Sequence, residues 1–136
     1  MFSKKASKPQ NRIDSLIGAG TKIEGNVSFT GGLRVDGEVK GNVTALPDQP
    51  STLVVSEQAR IEGEIRVSHL VVNGTLEGPM HVSEFLELQS NSRVRGDIHY
   101  NTMEVQLGAV IEGRLLHRSS EAKTVELKLA ATNTGA

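Results

Sequence analysis

Residues 35–43 read VDGEVKGNV, which contains two overlapping copies of the five-residue motif apolar–x–Gly–x–apolar. Further copies follow along the chain, among them IEGEI at 61–65, VRGDI at 94–98 and IEGRL at 111–115. Glycine supplies 14 of the 136 residues, whereas the aromatic side chains comprise three Phe and one Tyr. A short repeat of this kind predicts a stacked solenoid with a core of Val, Ile and Leu.

Six of the motif glycines recur about every 17 residues and are interpreted as one position in successive coils. They are Gly25, Gly41, Gly63, Gly78, Gly96 and Gly113. A preceding apolar column has the same period and consists of Leu16, Leu33, Leu53, Leu70, Leu86 and Met103. The longest glycine spacing contains the proline-rich stretch 45–51, which is typical of a loop.

Between these landmarks apolar and polar residues alternate, which indicates strands rather than helices. The sequence therefore predicts an all-β fold, a parallel β-helix of about six coils in residues 16–117. The glycines are expected to be structural, at bends where no side chain fits. The residues that precede them form an outward charge column whose signs alternate except at one step, from Glu62 to Glu77.

The composition excludes several functional classes. The chain has no Cys, so disulfides, thiolate nucleophiles and cysteine-ligated zinc are ruled out. A net charge of -1 provides no general basic field for nucleic acid. No apolar run reaches the roughly 18–20 residues of a membrane span, and the N-terminal MFSKKASKPQNR lacks the apolar core of a secretory signal. We therefore expect a cytoplasmic protein.

The repeat region resembles the bactofilin family. The resemblance rests on IGAGTKIEGNVSFTGGLRVDGEVKGNV at 17–43 and on LVVSEQARIEGEI, VVNGTLEG, LELQSNSRVRGDI and VQLGAVIEGRL further on, and it covers residues 16–116. Bactofilins are bacterial cytoskeletal proteins. The resemblance implies a right-handed, three-sided β-helix that polymerises without nucleotide, and roles in cell shape or wall synthesis beside cell-wall hydrolases or synthases.

An enzyme hypothesis finds few candidate residues. There is no GxxxxGK[ST] phosphate loop and no GxSxG motif, so we expect no catalytic residue and no cofactor. The glycine alignment makes His81 and His99 equivalent, whereas His117 aligns with Tyr100, on the opposite strand face. We therefore expect no metal site. The alternative is a left-handed β-helix acyltransferase or metal-dependent hydratase with His81 and His99 near its site, but no insertion is long enough to form a lid.

A solenoid has two open ends, and the sequence offers no capping repeat for either. We therefore predict that the first and last coils join copies of the chain into a homopolymer by continuing the sheets. The residues predicted to line the junctions are Leu16, Ile17, Ile23, Val27 and Phe29 in the first coil, and Met103, Val105, Ile111 and Leu115 in the last.

The two termini are predicted to be flexible tails, residues 1–15 and 118–136. The N-terminal tail is basic and begins with two apolar residues, so it is expected to contact the anionic inner face of the cytoplasmic membrane. The predicted contact residues are Met1, Phe2, Lys4, Lys5 and Lys8. Many tails displayed on one filament would bind by avidity. The C-terminal tail is polar apart from Val125, Leu127 and Leu129.

Overall fold

A computed structural model describes residues 12–118, which form a parallel β-helix of fifteen short strands. One sheet contains β1 Ser15–Ile17, β3 Val27–Phe29, β4 Gly31–Val35, β6 Val43–Ala45, β7 Ser51–Val55, β9 Ile65–Val72, β11 Met80–Leu88, β13 Ile98–Val105 and β15 Leu115–His117. The other contains β2 Lys22–Glu24, β5 Glu38–Lys40, β8 Arg60–Glu62, β10 Thr75–Glu77, β12 Arg93–Arg95 and β14 Val110–Glu112. The predicted all-β, parallel architecture is thus confirmed.

The strand pairing defines six coils and three faces. Face 1 consists of 15–17, 31–35, 51–55, 69–72, 85–88 and 102–105. Face 2 is the sheet of β2, β5, β8, β10, β12 and β14. Face 3 consists of 27–29, 43–45, 65–67, 80–82, 98–100 and 115–117. Strands β9, β11 and β13 run from face 3 to face 1, so these two faces share one sheet.

The core is a narrow column of aliphatic side chains inside the coils. Successive strands place Leu53, Leu70 and Leu86 in register on face 1, and none of the three is exposed to solvent. On face 2, Val39 and Ile61 are equally buried and directly paired. Because neighbouring coils lie about 4.8 Å apart, each inward side chain packs on its equivalents above and below.

The glycine column lies at the corner between faces 2 and 3. The backbone there has positive φ, for example +153° at Gly63 and +132° at Gly78. A Cβ on Gly63 would lie 2.1 Å from the carbonyl oxygen of Gly41, one coil before it. A Cβ on Gly25, in the first coil, would meet nothing within 4 Å. Both the backbone conformation and the close stacking of coils therefore require glycine in the interior of the rod.

One predicted register is wrong. The sequence placed Leu16 in the inward apolar column with Leu33, but Leu33 pairs with Ser15, and Leu16 pairs with Arg34. Since side chains alternate between the two faces of a strand, Leu16 points outward and is 59% exposed, while Ser15 and Ile17 take the inward positions beside Leu33 and Val35. From Leu33 to Met103 the predicted column is confirmed.

The first strand begins at Ser15, one residue before the predicted start of the β-helix domain. Ahead of it, the Asp14 amide donates to the Gly32 carbonyl, and the Gly32 amide donates to the Asp14 carboxylate. The predicted membrane-contact residues and most of both predicted tails lie outside the described residues.

Candidate functional site: the two ends of the rod

The first and last coils leave strand edges without a partner strand among residues 12–118. Strands β1, β2 and β3 pair only with the second coil. Strands β14 and β15 pair only with the fifth coil. Backbone N–H and C=O groups on such edges are able to pair with a further strand. Each end therefore offers three strand edges around an apolar centre.

The last coil is the more open of the two ends. Leu115 points inward in the same column as Ile98, yet Leu115 is 45% exposed whereas Ile98 is fully buried. Val105 is 46% exposed, although Leu88, its partner one coil earlier, is fully buried. The difference within each pair comes from the missing next coil. Met103 and Ile111 are half-buried against the end of the core.

The first coil is better covered. Ile17 and Phe29 are buried, and Ile23 and Val27 are half-buried against the core. Leu16 points outward on face 1, so it lies at the rim of this end rather than at its centre. The structure thus brings four of the five predicted first-coil residues to the end of the core. Whether they form a junction stays a prediction.

Two further apolar residues of the last coil are exposed, and the sequence analysis did not identify them. Leu107 lies in the turn between faces 1 and 2 and is 95% exposed, and Val110 on face 2 is 40% exposed. The corresponding turns of the third and fifth coils, 56–59 and 89–92, carry Glu57 and Ser90 at the position of Leu107. The matching turn of the first coil carries the small Ala19, so a large apolar residue at this turn position is the sequence signal for Leu107.

Two of the histidines lie close together on face 3. His81 and His99 stack on the outer side of face 3 with ring centroids 4.4 Å apart, and His81 Nε2 lies 3.1 Å from Glu64 Oε2. Burial, followed by the charges of Arg66 and His99, lowers the pKa of His81. Within residues 12–118 no three potential ligands of the His, Cys, Asp or Glu types cluster together.

His117 occupies the inward side of face 3 and pairs in register with Tyr100, as the sequence alignment predicted. The two rings meet edge to face at 5.3 Å, and His117 Nε2 lies 2.8 Å from the Asn101 carbonyl oxygen. These polar rings therefore partly fill one corner of the core at the open end.

No helix in the described part of the chain has the length and apolarity that crossing a bilayer requires. The candidate site is the pair of open coil ends, where strand edges without a partner surround the end of the core, a geometry suited to assembly. An open-ended, parallel β-helix with a regular aliphatic core places the chain in the class of β-solenoids.

Comparison with known proteins identifies the family. Residues 15–116 match the sequence model of the bactofilins, described as polymer-forming cytoskeletal proteins. The chain is 26% identical over 113 residues to bactofilin BacP of Myxococcus xanthus (strain DK1622), covering 83% of this chain and 45% of BacP. It is also 26% identical over 102 residues to bactofilin BacO of the same organism, covering 75% of this chain and 78% of BacO.

The fold agrees with a solved member. The structure superposes with a TM-score of 0.68 on the cytoskeletal bactofilin BacA, determined by solid-state NMR, at 32% identity over 78% of this chain and 97% of BacA. The chain belongs to the bactofilin family. It spans less than half the length of BacP, at 45%.

Proposed function

We propose that this chain assembles end to end into cytoskeletal filaments without nucleotide and is not an enzyme. Family membership supports a polymer-forming cytoskeletal protein. The main support for end-to-end assembly is the exposure of inward side chains in the last coil. Leu115 is 45% exposed, whereas Ile98 in the same column is 0% exposed. A copy stacked on this end would bury such side chains and pair the free strand edges.

Two observations support assembly without nucleotide: the absence of a nucleotide-binding motif and the favourable free energy of the contacts at the ends. The chain has no phosphate-loop motif. Apolar burial and continued strand pairing supply favourable free energy without any bound energy source.

We further propose that the filaments lie on the inner face of the cytoplasmic membrane and scaffold cell-shape or cell-wall enzymes. The basic N-terminal sequence with Met1 and Phe2 supports the membrane part, since each lysine near an anionic surface contributes about 1 kcal/mol. Liposome pelleting of Phe2→Ser and of a Lys4→Glu, Lys5→Glu double variant tests it. Binding equal to the unmodified chain overturns it.

The central test compares two adjacent leucines on β15. Leu115 points inward at the open end, whereas Leu116 pairs with His99 on the outer column of face 3. Leu115→Lys is expected to yield short folded species in negative-stain electron microscopy, because a charge would be buried at the junction. Leu116→Lys is the matched control and is expected to keep long filaments.

Both variants are first checked for β-sheet content and thermal unfolding by circular dichroism. Ile111→Lys provides a second junction variant on face 2. Long filaments of Leu115→Lys or Ile111→Lys contradict the junction assignment. Filaments that form only after nucleotide is added contradict nucleotide-free assembly.

A further inference from the structure

One column of outward side chains runs down face 1, beside a second column in register that consists of Gly32, Thr52, His69, Phe85 and Thr102. The register places Leu16, Arg34, Val54, Val71, Glu87 and Glu104 on successive coils. In the middle coils the neighbours along each strand, such as Leu53 and Val55, are fully buried, so the column points away from the core, and the strand register extends it to Leu16 and Glu104. This column is the more exposed part of the surface that the middle coils of face 1 offer to another molecule, because Thr52 and His69 of the second column are buried.

The central four members have a definite order of charge. A cation at Arg34 is followed by the apolar Val54 and Val71 and then by an anion at Glu87. Adjacent rungs lie about 4.8 Å apart, so the two charges are about 14 Å apart with the valines between them. When the order is reversed, the apolar pair stays central and the charges change places.

Both charged groups have capacity for a further partner. The Arg34 side chain is 49% exposed and uses its Nε to bind Asp36 Oδ1 at 2.9 Å, one of the five N–H donors of a guanidinium. Glu87 Oε2 accepts from the neutral amides of Gln89 at 3.0 Å and Gln106 at 3.4 Å. Glu104 pairs in register with Glu87, so a like charge stands on the next coil.

We infer that face 1 joins two copies of this chain side by side in antiparallel orientation, about a twofold axis between the third and fourth coils. Val54 of one copy then faces Val71 of the other, and Arg34 faces Glu87. The symmetry repeats each contact, which gives a four-valine centre between two ion pairs. This lateral contact is separate from the end junctions and rests on the proposed polymer for its biological role.

Charge selects this arrangement over its alternatives. In a parallel pair the same coils would meet, so Arg34 would face Arg34 and Glu87 would face Glu87, which is repulsive. An antiparallel pair shifted by one coil would set a charge against a valine and desolvate it without a partner. Over the central four coils, only the register centred between the third and fourth coils matches opposite charges and apolar groups together, and in this register Leu16 faces Glu104 at each edge of the contact.

The contact area of one pair is small, and isolated ion pairs on a surface are weak. A filament repeats the same face in every copy, so many weak contacts act together along its length. The inference therefore predicts that single chains scarcely pair, whereas filaments pair readily, and that added salt separates them.

Reversal of charge provides the test, with filament width in negative-stain electron microscopy as the readout. The unmodified chain is expected to form filaments of double width at low salt. Arg34→Glu alone and Glu87→Arg alone are each expected to lose double-width filaments, because like charges then face each other. The double variant Arg34→Glu, Glu87→Arg is expected to regain them, and so is a mixture of preformed filaments of the two single variants.

Engineered cysteines report the orientation, since the chain contains no Cys. A mixture of Val54→Cys filaments and Val71→Cys filaments is expected to form more disulfide-linked dimer on oxidation than either variant alone. Self-linking of each variant at the level of the mixture indicates a parallel pair and overturns the inference.

The outcomes separate the two proposals. Single-width filaments for the unmodified chain at low salt, or double-width filaments for both single reversals, overturn the lateral contact and leave the end-to-end polymer intact. Absence of any filament contradicts the proposed function, and the cysteine pair then tests lateral contact at high protein concentration. Circular dichroism confirms that each variant is folded.

Discussion

Glu62 and Glu77 stand on neighbouring coils of face 2, and both carboxylates bind the same guanidinium. Arg60 Nε lies 2.7 Å from Glu62 Oε2, and Arg60 Nη2 lies 2.9 Å from Glu77 Oε2. The hydrogen bond from Arg60 is the main cause that lowers the pKa of Glu62. One cation therefore offsets the single like-charge step that interrupts the alternating column on this face.

Removal of this cation tests its contribution. We expect Arg60→Met to lower the melting temperature by a few degrees, because the two glutamates then repel across the stack. Adding Glu77→Gln to that variant should recover part of the loss. Arg93→Met is the control, since Arg93 lies in the same column and forms no ion pair within residues 12–118. Equal losses for Arg60→Met and Arg93→Met would contradict the bridging role.

Two positions of the glycine column allow the stability cost of backbone strain to be measured separately from the cost of disturbed coil stacking. Gly25→Ala introduces a side chain at positive φ in open space, which costs about 1–3 kcal/mol. Gly63→Ala adds an overlap with the Gly41 carbonyl oxygen at 2.1 Å, so its free energy of unfolding should fall further. Both free energies of unfolding are measured by urea unfolding in a Leu115→Lys background, which is expected to prevent long filaments. The stacking explanation fails if the two substitutions cost the same.

Leu107 is expected to act in assembly rather than in folding. Since its side chain is 95% exposed, Leu107→Ser should change the free energy of unfolding by no more than about 0.5 kcal/mol. It should raise the protein concentration needed for filament formation, measured by sedimentation. Leu46→Ser is the control, because Leu46 is 51% exposed on a corner away from both ends. An unchanged sedimentation curve for Leu107→Ser would remove this residue from the junction.

His81 gives the fold a dependence on pH. Burial holds the pKa of His81 below 6.5, with Arg66 and His99 adding to the effect and Glu64 opposing it. The unfolded chain therefore takes up this proton first as the pH falls, so stability decreases as the pH falls through 6.5. Thermal unfolding between about pH 7.5 and 5.5 should show a smaller decrease for His81→Gln than for the unmodified chain. Identical slopes would show that another group controls this range.

The repeat explains why much of the fold was predictable. The paired strands of face 2 place Glu24 against Lys40 and Arg95 against Glu112, the register that the glycine alignment gives. A stacked repeat has one fixed position per coil, so a single well-placed glycine sets the register of its neighbours. Alternation within each strand then separates inward from outward residues.

The errors arose where the repeat is weakest. In the first coil the spacing of about 17 selected the apolar Leu16 for the inward position beside Leu33, but the polar Ser15 occupies it and Ile17 pairs with Val35. Ion pairs between neighbouring coils were also not predicted. The contact of Arg60 with Glu77 depends on the conformation of the long arginine side chain, which the sequence pattern does not give. The order of outward side chains on face 1 could be established only from the complete strand register, because a long loop separates the second and third coils.

That loop, residues 46–50, is exposed throughout, and it lengthens one coil without disturbing the pairing of Lys40 with Glu62 on the opposite side. The length of the rod therefore depends on how many coils it has and not on how many residues each contains. A corner can therefore gain residues that project sideways while the spacing of the coils along the axis stays the same. The same corner is a suitable place to insert a fluorescent or epitope segment, because an insertion at Asp48 would leave both ends unaltered.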